Sequence, residues 1–78
     1  MQQLILYTTE GCHLCDEAED LLKQLKTVQQ HELELVDISF SEELVSLYGI
    51  RIPVVRRTDN GKELGWPFDS AALLAFVT

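Results

Sequence analysis

A chain of 78 residues with 46% hydrophobic side chains allows one small folded domain spanning residues 1–78 and leaves no room for a second core. Thirteen acidic residues against six basic ones give a formal net charge of −7, without the lysine and arginine surplus that nucleic acid or an anionic membrane surface requires. No apolar run approaches the ~20 residues of a membrane-spanning helix, and the opening MQQLILYTTE lacks the marks of a secretory leader, so a cytoplasmic location is expected.

Leu4 to Tyr7 is a short apolar run closed by Thr-Thr-Glu-Gly, which predicts a strand buried on both faces. Both cysteines follow at once, Cys12 and Cys15. From there Leu14, Ala18, Leu21, Leu22, Leu25 and Val28 recur at helical spacing and predict one apolar stripe. Acidic residues crowd the start of this helix and Lys23 and Lys26 come later, an order that complements the helix dipole. Glu19 and Lys23 are spaced as an i,i+4 ion pair.

Leu33, Leu35, Val36 and Ile38 predict a second strand. A short helix carrying Leu44, Val45, Leu47 and Tyr48 follows, capped by Ser39 or Ser41 and closed by Gly49 in a left-handed conformation. Ile52 to Arg57 reads as extended chain with proline at its start, Asp59-Asn60-Gly61 as a hairpin turn, and Lys62 to Trp66 as the returning strand. Arg56 and Arg57 are read as charges that guard an edge strand. Asp69 or Ser70 caps a last helix bearing Ala72, Leu73, Phe76 and Val77. The predicted order is β-α-β-α-β-β-α, an α/β domain with its first two strands parallel and its last two antiparallel.

Cys-x-x-Cys at a strand-to-helix junction has a chemical consequence. Cys12 falls at the cap or first turn, where unpaired backbone N–H groups and the helix dipole favour the thiolate. Cys15, nearly one turn later, is placed to attack a mixed disulfide formed at Cys12. Cys12 is therefore expected to be the nucleophile and the more acidic thiol, and Cys15 the resolving thiol. Glu10, Asp16 and Glu17 oppose the thiolate, while His13, if protonated, supports it.

The element order, Cys12-His13-Leu14-Cys15 and the Ile52-Pro53 step together resemble the thioredoxin fold, and the short length resembles its glutaredoxin branch. The stretches Leu47 to Val54 and Gly65 to Asp69 are similar to small glutaredoxin-like proteins, so that the resemblance covers nearly the whole chain. It implies a four-stranded mixed sheet flanked by helices, and thiol–disulfide exchange through Cys12 and Cys15. It also implies a cis Pro53 facing the cysteines, with Ile52 offering its backbone to an extended thiol or disulfide substrate. Arg51 stands beside this groove as a candidate grip for a carboxylate, and Asp69 matches the family's acidic residue at the last helix. Glutathione is the cosubstrate the family uses, with no bound cofactor, and nothing in the sequence demands more than a monomer. The chain departs from the usual pattern at His13 and Leu14, where the family has proline and an aromatic residue. It departs again at Thr9 and Glu10, where many members carry a lysine, and at Gly65-Trp66-Pro67, where a Gly-Gly pair is usual.

Two readings of other classes compete. Thiolates also suit Cu(I), Zn(II) or a shared iron–sulfur cluster, but copper carriers usually place methionine where Glu10 stands, and Pro53 has no role in their βαββαβ order. A closed zinc site needs four ligands, and His13 and His31 are better read as surface residues. The other is a non-catalytic interaction domain using Trp66, Pro67 and Phe68, whose simpler role is to anchor the last helix.

Overall fold

The structure, a computed structural model, describes residues 2–78. In chain order it contains β1 (Gln2–Thr8), α1 (His13–Leu25), β2 (His31–Asp37), a 3₁₀ turn (Ile38–Phe40), α2 (Glu42–Tyr48), β3 (Val54–Arg57), β4 (Glu63–Gly65) and α3 (Ser70–Val77). The strands form one sheet in the order β2-β1-β3-β4. β1 runs parallel to β2 and antiparallel to β3, and β3 runs antiparallel to β4.

β1 is an inner strand, and its two-residue alternation feeds two cores. Leu4 and Leu6 pack with Ala18, Leu22 and Leu25 of α1 and with Leu73 and Val77 of α3. Ile5 and Tyr7 point the other way, towards Ile38, Tyr48 and Val54. β3 alternates likewise, with Val55 in the first core and Val54 in the second. Each of the fully buried leucines contributes roughly 1.5–3 kcal/mol relative to exposure, and the two clusters together cover both faces of β1.

The helix signals act as the local chemistry requires. Ser41, not Ser39, caps α2 by accepting the Leu44 N–H (3.3 Å). Asp69 caps α3 by accepting the Ala72 N–H (2.8 Å), and Lys23 and Glu19 pair across one turn of α1 (3.1 Å). The turn before β4 uses Gly61 at φ +73°.

Five expectations need correction. Ile38 opens the 3₁₀ turn instead of continuing β2, which ends at Asp37. α1 ends at Leu25, so Val28 lies beyond it and is 72% exposed instead of extending the stripe. Gly49 has φ −51°, so it is required not for a left-handed turn but because a Cβ there would meet the Val45 carbonyl oxygen at 2.5 Å. Arg56 and Arg57 lie on β3, an inner strand; Arg57 instead donates to the Phe76 carbonyl (2.8 Å) and pairs with Asp59 (2.7 Å), tying the sheet to α3. His31 is buried rather than superficial, its Nε2 donating to the Leu22 carbonyl (2.8 Å) across α1 and β2.

The strand directions gather four connections at one end of the sheet. Thr8 pairs with Asp37, Tyr7 with Val54, and Val54 with Gly65. The segments 9–12, 38–43, 49–53 and 66–69 therefore meet at that end, and both ends of α2 are anchored there. Among the described residues, no helix is long and apolar enough to cross a membrane.

Candidate active site

The turn after β1 is closed by the Cys12 N–H donating to the Thr9 carbonyl (3.3 Å), with Gly11 at φ +80°. That positive φ lets the chain double back so that Cys12 becomes the N-cap of α1. The Cys12 sulfur accepts the Cys15 N–H at 3.1 Å, filling the place that a serine or aspartate oxygen takes in an ordinary cap. The Cys12 carbonyl accepts the Asp16 N–H (3.2 Å) and starts the helical ladder.

Cys12 and Cys15 are disulfide-bonded, with their Cα atoms 5.2 Å apart. Their environments differ sharply. Cys15 is 2% exposed, whereas Cys12 is partly open to solvent and His13 and Leu14 between them are exposed. An incoming sulfur can reach Cys12 and not Cys15. A helix N-terminus beside Cys12 favours negative charge on that sulfur when the bond opens.

Across from the motif, Asp37 ends β2 and accepts the Ser39 N–H (2.9 Å), which holds its carboxyl below the usual carboxylate range. The Thr9 side chain contributes in the same direction. The Ile52–Pro53 peptide is cis, as is Trp66–Pro67. The Ile52 N–H donates to the Tyr48 carbonyl (3.0 Å), and the Pro53 carbonyl accepts the Trp66 N–H (3.1 Å). Trp66 and Phe68 meet edge to face, centroids 5.0 Å apart, and both pack on the α1/α3 core, so they anchor the last helix.

Of the residues expected at the site, Cys12, Cys15, Arg51, Ile52, Pro53 and Asp69 all lie at this end of the sheet, and the two cysteines are bonded to each other. Arg51 is partly committed: it sits 3.4 Å from the Glu63 carboxylate and 5.4 Å from the centre of the Tyr48 ring. Beneath it is a cluster that sequence reading did not find. Tyr48 stacks on Tyr7 with ring centroids 4.2 Å apart and planes 15° apart, and its hydroxyl donates to Glu63. That bond to a carboxylate, reinforced by burial, pushes the Tyr48 phenol up to about 12. No short-range pattern links Tyr7, Tyr48 and Glu63; only the strand pairing does.

Among the described residues no group of three or more His, Cys, Asp or Glu side chains is gathered as a metal site. A hollow of about 370 Å³ lies at the opposite end of the sheet, lined by Lys26, Gln30, His31 and Glu32, away from the cysteines.

The model of the glutaredoxin-like domain (DUF836) matches residues 3–78. A crystal structure of protein XcR50 from X. campestris is 41% identical, with 94% of this chain and 92% of that one covered and a TM-score of 0.81. The solution structure of protein Ne2328 from Nitrosomonas europaea is 36% identical, covering 99% and 92%, with a TM-score of 0.86. A mutant thioredoxin from Halobacterium salinarum, 19% identical over 97% of this chain and 71% of that one, superimposes with a TM-score of 0.72 and shares the fold. The search of curated proteins returned no match. Strand order, cysteine placement and the match over residues 3–78 agree, and the chain belongs to the glutaredoxin-like (DUF836) family of thioredoxin-fold proteins.

Proposed function

We propose that this protein is a thiol–disulfide oxidoreductase that shuttles two electrons through Cys12 and Cys15. The observation that carries the reading is the disulfide at the start of α1 with one accessible and one buried sulfur. In the reducing direction the Cys12 thiolate attacks a substrate disulfide. A Cys12–substrate bond forms, the substrate S–S bond breaks, and one substrate thiolate leaves. The Cys15 thiolate then attacks the Cys12 sulfur, forming the Cys12–Cys15 bond and expelling the second substrate thiolate. The substrate gains two electrons and the dithiol becomes the disulfide; a thiol reductant restores it by the same steps reversed.

Ile52, Pro53 and Arg51 form the wall against which the substrate lies in this reading. Because the Ile52 N–H is already given to Tyr48, an extended substrate meets the Ile52 carbonyl rather than its N–H. Asp69 keeps its capping role and adds negative charge to the rim. The protein works as a monomer in a reducing, cytoplasmic setting, without a resident cofactor, and with protein or glutathione thiols as the exchanging partners.

The test is an equilibrium redox titration in glutathione buffers with thiol counting and mass spectrometry. A reversible Cys12–Cys15 couple at roughly −200 to −270 mV supports the reading. Cys12→Ser abolishes exchange, and Cys15→Ser accumulates a mixed disulfide on Cys12. Full turnover by Cys12→Ser would overturn the mechanism.

A further inference from the structure

Charge is not spread evenly along the sheet. The motif turn and the first turns of α1 bring Glu10, Asp16 and Glu17 to the cysteine end; the end of β2 and the start of α2 bring Asp37, Glu42 and Glu43. Asp69 joins them from the cap of α3. Against these seven carboxylates stands one arginine, Arg51, itself 3.4 Å from Glu63. The other five lysines and arginines lie away from it: Lys23 on the last turn of α1 and Lys26 at its C-cap, Arg56 and Arg57 on the half of β3 that pairs with Leu4 and Ile5, and Lys62 after the hairpin turn. Six of the seven net negative charges thus sit at the cysteine end.

The same end exposes apolar surface. Ile50, next to Arg51, is fully exposed, Phe40 is 89% exposed and Leu14, inside the motif, is 43% exposed. A partner that covers them gains roughly 25 cal/mol per Å² of apolar surface removed from water. Its charge has to complement the carboxylates, because like charges brought together at a rim slow encounter and opposite charges speed it.

From these two features, and resting on the thiol–disulfide reading above, we infer that the partner is a protein whose reactive disulfide or cysteine pair lies in an extended segment with lysine or arginine flanking it and an apolar side chain beside it. Anionic glutathione is the poorer partner. The exchange steps are those already written; the acidic rim sets the rate of encounter, and Ile50, beside Arg51 at the wall of the groove, takes the apolar side chain.

The test is single-turnover reduction by the dithiol protein, freed of other reductant, of three disulfide peptides identical except for flanking Lys, Ser or Glu pairs. The uncharged bis(2-hydroxyethyl) disulfide serves as the reference. At low ionic strength the Lys peptide is expected to react about tenfold faster than the Ser peptide and the Glu peptide more slowly still, with the spread collapsing near ~0.5 M salt. The Glu42→Gln/Glu43→Gln variant is expected to lose at least about half of the Lys preference. Glu32→Gln/Glu34→Gln removes the same charge from β2 and is expected to keep it. Replacing the apolar neighbour in the peptide by glycine lowers the rate at both salt concentrations. Equal rates for the three peptides, or equal losses in the two variants, would overturn the inference while reduction of the uncharged disulfide leaves the redox reading standing. No reaction with any of the four disulfides would overturn both.

Discussion

The Cys12 sulfur accepts the backbone N–H of Cys15 at 3.1 Å, so the turn of helix that buries one cysteine also holds the other at the surface. This single relation separates the chemistry of two identical side chains. Cys12 sits partly open to solvent at the N-cap of α1, beside helix N–H groups, and Cys15 is buried in the first turn. In the folded dithiol protein, iodoacetamide at pH 7 is expected to label Cys12 at least about tenfold faster than Cys15. In denaturant the two rates converge. Equal labelling in the folded state would show that neither burial nor the cap distinguishes the thiols.

Asp69 caps the helix whose Leu73 and Val77 close the main core, so its role is felt beyond α3. Asp69→Ala leaves the Ala72 N–H without its acceptor and is expected to cost about 0.5–2 kcal/mol in urea unfolding, with Asp69→Asn recovering most of it. Because Asp69 also contributes to the acidic rim, Asn separates capping from charge. A stability loss in Asn as large as in Ala would assign the effect to charge instead.

Gly49→Ala addresses a close approach and not a dihedral preference. The added Cβ would stand 2.5 Å from the Val45 carbonyl oxygen, a backbone atom that can yield only by shifting the last turn of α2. The expected cost is about 1–3 kcal/mol, in the range of overpacking at a rigid site. The Tyr48 carbonyl, which accepts the Ile52 N–H, lies on that same turn, so the Ile52 and Tyr48 amide signals are expected to move in nitrogen–proton correlation spectra. A neutral or stabilising outcome would mean that the turn relaxes freely.

How much of this could be read in advance follows from the range of each interaction. The strand alternation at Leu4 to Tyr7 and the placement of Cys12 at the helix start are local in sequence and legible there, while the two caps are legible only to a pair of candidates each, which the structure resolves to Ser41 and Asp69. Gly49 and Val28 are ambiguous in sequence: a glycine after a helix suits either a left-handed turn or a crowded one, and a stripe carries no mark of its last member. His31 and the arginines of β3 depend on which strands are neighbours. Hairpin and periodicity signals do not say that β3 lies between β1 and β4, so an inner strand carrying two arginines looked like an edge. The Tyr7–Tyr48–Glu63 cluster depends on three elements meeting, and no pairwise spacing announces it.

That cluster supplies a pH dependence whose sign can be worked out. Tyr48 is buried, its hydroxyl donates to Glu63, and its folded-state pKa is raised to about 12, against ~10 for an unfolded tyrosine. Folding therefore favours the neutral phenol. The stability this contributes is fully present below pH ~10 and is lost as pH rises through about 12. Urea unfolding at a series of pH values is expected to show wild-type stability falling across that alkaline window. Tyr48→Phe should start lower at pH 8, by about 1.5–3 kcal/mol for a hydrogen bond to a charged group, and decline less steeply. The phenolate absorbance of the wild type should include a component rising near pH 12 that the variant lacks. Parallel pH profiles for the two proteins would show that Tyr48 ionises alike in the folded and unfolded chain, and that its bond to Glu63 does not hold the phenol neutral.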